Sequence, residues 1–118
     1  MTKRRAAINK IFKDWQCTWN EAWAAVHFET ETLEETRKAI AQAVTYRRLF
    51  KSYLPAAIEF MKTEEPGIGD VWIESHAYDL ADEAATAHVY EWETQELVDY
   101  ASITENEILA VLDEMYGD

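Results

Sequence analysis

Apolar residues recur at three- and four-residue steps through most of this 118-residue chain, and this spacing constrains the fold more than any other feature. Such steps place side chains on one face of an α-helix, whereas a half-buried strand alternates apolar and polar residues. The chain shows neither that alternation nor an Asn-Gly or Asp-Gly pair of the kind that closes a hairpin. We therefore expect an all-α protein, a single compact bundle of four or five helices in one domain, residues 1–118.

Helix boundaries in the first half are predicted from capping and breaking residues. The apolar positions of residues 5–27 predict one first helix, on which Trp15, Trp19 and Trp23 would form an aromatic ridge. A Thr-x-x-Glu pattern at residues 32–35 predicts the start of a second helix, which Pro55 should break or kink. Residues 56–62 then either continue beyond that kink or start a new helix.

The second half begins at a turn over residues 63–69, which holds one of the two prolines and two of the three glycines. Asp70 is expected to cap a third helix that reaches about Tyr100, with an apolar face that includes Tyr78 and Leu80. Thr104, with a glutamate three residues later, predicts a final helix that ends at Gly117.

Charge is segregated along the sequence. The basic half, residues 1–62, has eleven Lys and Arg against seven carboxylates, whereas residues 63–118 have sixteen carboxylates and no Lys or Arg. Almost all of these carboxylates belong to the acidic half, residues 70–118. A surface that serves only solubility normally mixes both signs, so we expect the acidic half to bind a positively charged partner.

Carboxylates of the acidic half stand three or four residues apart, so that they share a helix face although like charges there destabilise the helix modestly. The predicted protein-binding residues are Glu74, Asp79, Asp82, Glu83, Glu91, Glu93, Glu96 and Asp99. Duplex DNA carries about one negative charge per 1.7 Å of its axis, and a helix edged with carboxylates offers similar charge. The pattern therefore favours a non-enzymatic inhibitor that occupies the nucleic-acid site of a defence nuclease or another basic nucleic-acid-binding protein.

The chain resembles the small acidic helical DNA mimics of phages, the antirestriction and anti-CRISPR inhibitors. The resemblance lies in length, helical pattern and the aromatic, carboxylate-rich segment from Asp70-Val71-Trp72-Ile73-Glu74 to Glu91-Trp92-Glu93. It implies an inhibitory binding role and, for a phage-encoded protein, a place in the host cytosol. It assigns no role to an individual residue.

The basic half supports an alternative. Its cations form two groups, within residues 3–13 and 37–51, but the net charge of −12 repels phosphate and no helix-turn-helix or zinc-finger spacing is present. Direct nucleic-acid binding is therefore not expected, and the cations are expected to pair with acids of the same molecule or of a second copy. The alternative function is an acidic, self-associating structural or adaptor domain, in which an antiparallel homodimer meets through the basic half or the tryptophan ridge.

No spacing in the sequence indicates catalysis, a cofactor or a metal. His76, Asp79 and Glu83 share a predicted helix face with His88 one turn further, but no second helix offers a matching Glu-x-x-His. We therefore expect no enzyme, no cofactor and no metal site.

Cysteine usage and hydropathy bear on location. Cys17 is the only cysteine, which excludes an internal disulfide and favours the cytoplasm. The basic N-terminus is not followed by the apolar segment of a signal peptide, and no run approaches 18 apolar residues, so no membrane partner is expected.

Overall fold

The computed structural model describes residues 2–67, 69–91 and 96–116. Over these ranges the chain is all-α, as predicted, and contains no strand. The described helices are α1 Lys3–Trp15, α2 Trp19–Phe28, α3 Leu33–Glu64, α4 Asp70–Thr86 and α5 Glu105–Tyr116, with a π-helical turn at Ala87–Glu91 and a 3-10 turn at Tyr100–Ser102. The predicted helix end at Gly117 lies outside the described residues.

The chain packs as two compact units, which do not follow the charge segregation of the sequence. The first unit comprises residues 1–44 and 98–118, and the second comprises residues 45–97. Counted over the sequence, the first unit has seven Lys and Arg against twelve carboxylates, and the second has four against eleven. Both units are therefore acidic, because the carboxylate-rich α5 belongs to the same unit as the basic α1. The assignment of residues 1–118 to one domain stays a prediction.

The core of the first unit is formed by α2, α3 and α5. Ala24, Val44 and Leu112 are almost completely buried and belong to one cluster with Ile40, Ala43, Ile108 and Val111. Partly buried aromatic side chains pack against this cluster, namely those of Trp23, Phe28, Tyr100 and Tyr116. Full burial of a large aliphatic side chain stabilises a fold by about 1.5–3 kcal/mol, so this cluster is the main source of stability in the first unit.

The predicted single helix over residues 5–27 is wrong, because the chain leaves helical geometry between α1 and α2. Gln16 ends α1 in the left-handed region, with φ 51° and ψ 43°. Thr18 then begins α2 with a capping box: its Oγ1 accepts the Glu21 N–H at 3.1 Å, and Glu21 Oε1 accepts the Thr18 N–H at 3.0 Å. Trp15 therefore lies on α1 while Trp19 and Trp23 lie on α2, and the predicted three-tryptophan ridge on one helix does not form.

Two predicted helix starts are confirmed by side-chain caps. The Glu35 N–H donates to Thr32 Oγ1 at 3.1 Å at the start of α3, and the Glu107 N–H donates to Thr104 Oγ1 at 3.1 Å at the start of α5. Both bonds satisfy a donor that a helix start leaves without an intrahelical partner.

Pro55 does not end α3, which continues to Glu64. A proline inside a helix removes one N–H and crowds the carbonyl four residues earlier, so the surrounding packing must compensate. Residues on both sides of Pro55 provide this packing. The buried residues there are Met61 of α3 and Ile73 and Ala77 of α4, and Leu54, Ala57 and Ile58 pack against them. Of the two alternatives for residues 56–62, continuation of the helix is the one observed.

The predicted third helix from an Asp70 cap to about Tyr100 is wrong at both ends. Gly69 is the N-cap without a side-chain bond, and Asp70 is the first helical residue. The α-helix stops at Thr86, and residues 96–99 are not helical.

A π-helical turn follows α4 because of the way this helix is buried. Every fourth residue from Ile73 through Ala77, Ala81 and Ala85 to Val89 is buried. In a helix of 3.6 residues per turn, four residues cover about 40° more than one full turn. Each buried residue therefore points about 40° away from the previous one, and the buried side moves gradually round the helix. The wider turn at Ala87–Glu91 takes up part of this rotation and keeps Val89 at 0% exposure.

A buried carboxylate joins three elements of the first unit. Glu21 is 2% exposed, and its Oε2 accepts hydrogen bonds from Arg37 Nε and from the Tyr100 hydroxyl, both at 2.7 Å. The Arg37 guanidinium also lies 5.4 Å from the centre of the Tyr100 ring. Burial alone would raise the pKa of Glu21, but the bonds from Arg37, the Thr18 N–H and Tyr100 outweigh it and hold the pKa below its usual range. Glu21 is therefore ionised in the folded protein and ties α2 to α3 and to the 3-10 turn.

We expect Glu21→Gln to lower the free energy of unfolding by about 1–3 kcal/mol at neutral pH, because charge-assisted bonds to Arg37 and Tyr100 are weakened in a buried place. The folded-state pKa of Glu21 lies below the unfolded value of 4.5. The stabilisation from this carboxylate is therefore present above about pH 4.5 and is lost as pH falls through the folded-state pKa.

Urea denaturation followed by circular dichroism at several pH values measures this effect. The exposed Glu34 of α3 gives the matched control, Glu34→Gln, which should leave stability nearly unchanged. Equal stability of the two variants at pH 7 would contradict the role assigned to Glu21.

Candidate functional site

The outer face of α4, defined by Trp72, His76, Asp79 and Glu83, points away from the buried stripe of that helix. These residues follow one another at three- and four-residue steps, about half a helical turn from the stripe. The Trp72 indole is 65% exposed and meets the His76 imidazole edge-on, with 6.2 Å between ring centres. The outer face therefore offers two carboxylates and a large exposed aromatic side chain on one rigid helix.

The structure brings most of the predicted binding residues into the second unit. The predicted binding residues that lie there, all of them exposed, are Glu74, Asp79, Asp82, Glu83, Glu91 and Glu96. Asp99 belongs to the first unit, where its side chain accepts the Ala101 N–H at 3.2 Å and caps the 3-10 turn. Glu93 lies outside the described residues. The candidate site is therefore the exposed acidic surface of α4 and the π-helical turn, without Asp99.

Asp82 has a structural contact with α3. The Tyr46 hydroxyl of α3 donates a hydrogen bond to Asp82 Oδ1. Burial first, and this bond second, raise the pKa of Tyr46, so the phenol stays protonated as the donor. Phe50 of α3 also contacts α4, because the centre of its ring lies 4.6 Å from the centre of the Tyr78 ring. Asp82 thus holds α4 against the part of α3 that belongs to the second unit.

Acidic side chains surround a shallow depression at the C-terminal end of α4. Its volume is about 420 Å³, and it is lined by Asp82, Glu83, Thr86, Ala87 and Glu91. Three of these five side chains are carboxylates, and none is a cation. The depression is therefore suited to a Lys or Arg side chain from a partner, which would receive charge-assisted hydrogen bonds from several carboxylates.

The charge of this surface is not neutralised within the described part of the chain. The ion pairs found there, Glu21 with Arg37 and Lys62 with Glu59, include none of the carboxylates of α4 or of the π-helical turn. Asp79 also stands three residues from Asp82 and four from Glu83, where like charges repel. Among the described residues, these carboxylates are therefore exposed to solvent without a paired Lys or Arg.

Exposed aromatic side chains lie among these carboxylates. Tyr78 and Tyr90 are half exposed, in addition to Trp72 on the outer face. The expected place of Tyr78 and Leu80 on the buried apolar face is wrong, because alanines fill that face and leave both larger side chains accessible. The signal for this in the sequence was the four-residue repeat of small residues beginning at Ala77.

Neither a metal site nor a reactive thiol is found among the described residues. Within residues 2–67, 69–91 and 96–116, no three His, Cys, Asp or Glu side chains come together as a metal ion would require, although His76 and Glu83 share the outer face. Burial, and then the nearby Glu21 carboxylate, raise the pKa of the Cys17 thiol, which keeps it protonated and weakly nucleophilic. Among the described helices, none has both the length and the apolar character that crossing a bilayer demands.

A matched pair of substitutions separates the structural carboxylate from its neighbours. Asp79→Ala should raise the free energy of unfolding slightly, because it removes like-charge repulsion and introduces a better helix former. Asp82→Ala brings the same two gains but loses the bond from Tyr46, so it should be less stable than Asp79→Ala by about 1 kcal/mol. Thermal or urea unfolding of both variants measures the difference, and a Tyr46→Phe background should abolish it. Equal stabilities in the wild-type background would mean that the bond contributes nothing.

Comparison with known proteins adds no family to this geometry. No family model matches the chain, and no match was found among curated proteins or among solved structures. The residues of the acidic surface themselves are therefore the basis for a function.

Proposed function

We propose that this protein is a non-enzymatic inhibitor that acts in the cytoplasm by binding the positively charged nucleic-acid site of a defence nuclease or another nucleic-acid-binding protein. The observation that carries the proposal is the acidic surface of the second unit, whose carboxylates are exposed and pair with no described Lys or Arg. The DNA-mimic and phage-inhibitor character suggested by the resemblance is part of this proposal.

The spacing of the carboxylates supports competition with nucleic acid. Side chains three or four residues apart on a helix lie about 5–6 Å from each other, and successive phosphates of one DNA strand are separated by 3.4 Å along the axis. A groove lined by Lys and Arg to hold phosphates can therefore meet several negative charges at once on α4, although at a lower density than on duplex DNA. The electrostatic attraction between α4 and such a groove acts over a Debye length of about 8–10 Å and weakens as salt is added.

The aromatic side chains support a protein groove as the partner more than a purely solvated surface. Arg guanidinium groups stack on aromatic rings in addition to pairing with carboxylates. Trp72 and Tyr78 are exposed on α4, the helix that carries the carboxylates, and an Arg side chain of a partner could stack on them. Large exposed aromatic side chains are also the residues most often found as anchors of interfaces.

A second candidate function, an acidic self-associating structural or adaptor domain, is favoured by exposed apolar side chains of the first unit. Phe12 and Trp19 lie in contact on α1 and α2, and Met115 is half exposed on α5. Light scattering at low and high salt distinguishes the two candidates. A dimer that binds no basic protein supports the adaptor, and a monomer that binds one supports the inhibitor.

The decisive test of the proposed function is capture from a lysate rich in nucleic-acid enzymes, with elution by salt and then by DNA. We expect the wild-type protein to retain a basic nucleic-acid-binding protein that DNA displaces. The test variant combines Glu74→Lys, Asp79→Lys, Glu83→Lys and Glu91→Lys. Since it replaces attraction by repulsion at four positions, it should weaken binding by roughly a hundredfold or more.

A control variant with the same change of net charge distinguishes loss of the acidic surface of α4 from a general change in the charge of the protein. It carries Asp14→Lys, Glu31→Lys, Glu34→Lys and Asp113→Lys, all at exposed positions of the first unit. This control should keep most of the binding. Retention of the partner by the folded α4 variant, or equal loss in both variants, would overturn the proposed function.

A further inference from the structure

A second depression, in the first unit, has the opposite chemistry. It lies between α1 and α2 and has a volume of about 350 Å³, within the range of small-ligand sites. Its lining residues are Thr2, Arg4, Arg5, Ile8, Trp19 and Trp23. Two arginines and two tryptophans therefore line one space, with the buried Ile8 among the lining residues.

The arginines stand where an isolated helix disfavours them. Lys3, Arg4 and Arg5 occupy the first turn of α1, which contains no acidic residue. This end of a helix carries the positive part of the macrodipole, so cations there are unfavourable and an anion is favourable. Within the described residues neither Arg4 nor Arg5 forms an ion pair. An anion in the depression would relieve this arrangement and receive the planar, two-pronged contacts that guanidinium groups make with phosphate.

The indoles are held in place by neighbouring rings. Trp19 is 41% exposed, and its ring meets the Phe12 ring edge-on, with 5.7 Å between the ring centres. The partly buried Trp23 meets His27 in the same way, also at 5.7 Å. An exposed aromatic surface whose orientation is already restricted can stack on a planar ligand with little further loss of side-chain freedom.

We propose that this depression binds a mononucleotide, with the phosphate on Arg4 and Arg5 and the base on the Trp19 indole. The chemistry of the lining requires both parts, because guanidinium groups recognise the anion and the indole recognises a planar ring. The ligand is a single nucleotide rather than a chain, since the net charge of −12 repels a polyanion far more strongly than one phosphate group. The inference concerns the first unit and does not rest on the proposed function of the acidic surface.

Adenosine 5′-monophosphate, titrated into the ¹⁵N-labelled protein, tests the site through the indole N–H signals of the five tryptophans. We expect the signals of Trp19 and Trp23, assigned with Trp19→Phe and Trp23→Phe, to shift while the other three stay in place. Adenosine lacks the phosphate and ribose 5-phosphate lacks the base, so each should bind at least about tenfold more weakly.

The variant pair Arg4→Ala with Arg5→Ala should weaken nucleotide binding by roughly tenfold or more. Its helix content should be preserved, because the substitutions remove cations from an unfavourable position. Lys10→Ala with Lys13→Ala is the matched control, since it removes the same charge from exposed positions of α1 that do not line the depression. This control should bind within about twofold of the wild type, because no direct contact is removed.

Several results would overturn the inference. They are an absence of indole shifts at millimolar nucleotide, equal weakening in the two double variants, and equal binding of adenosine or ribose 5-phosphate and the complete nucleotide. Tighter binding of a short single-stranded oligonucleotide than of the mononucleotide would also contradict it.

Discussion

The ionised Glu21 side chain is the polar interaction that joins the separate elements of the first unit around their hydrophobic core. One carboxylate caps α2 through Thr18 and also receives Arg37 of α3 and Tyr100 of the 3-10 turn. It completes the capping box that starts α2 after Gln16 has ended α1, and its bond from Tyr100 joins the C-terminal segment to α2. Removing one member of such a buried group leaves the others without compensation, so the group behaves as a unit. The depression between α1 and α2 exists because the chain turns just before this residue.

The sequence was sufficient for those features of the fold that local chemistry determines. The all-α class follows from apolar spacing, and the starts of α3 and α5 follow from threonine caps whose bonds lie within four residues. The break between α1 and α2 had the same Thr-x-x-Glu signal at Thr18, but the unbroken apolar spacing concealed it. The passage of α3 through Pro55 and the end of α4 at Thr86 could not be predicted, since both depend on what packs against those residues.

The candidate site was predicted in part. Clustering of exposed carboxylates on α4 follows from their helical spacing, but the bond from Tyr46 to Asp82 joins residues that are distant in sequence and has no local signal. Asp99 was grouped with the others because the helix was expected to reach it. The depression lined by Arg4 and Trp19 was also missed, because it requires α1 and α2 to be separate helices. The basic and aromatic residues are evident in the sequence, but nothing in the sequence indicates that they lie close together in space.

The π-helical turn also decides the direction in which the acidic side chains point. Glu91 follows Glu83 by eight residues, and in a regular α-helix this separation turns the second side chain by about 80° relative to the first. The wider turn takes up part of that angle, so both carboxylates line the same depression. A local change of helical pitch thus brings carboxylates from separate turns to one opening. A cation that enters this opening would meet acidic side chains from more than one turn of the helix at once.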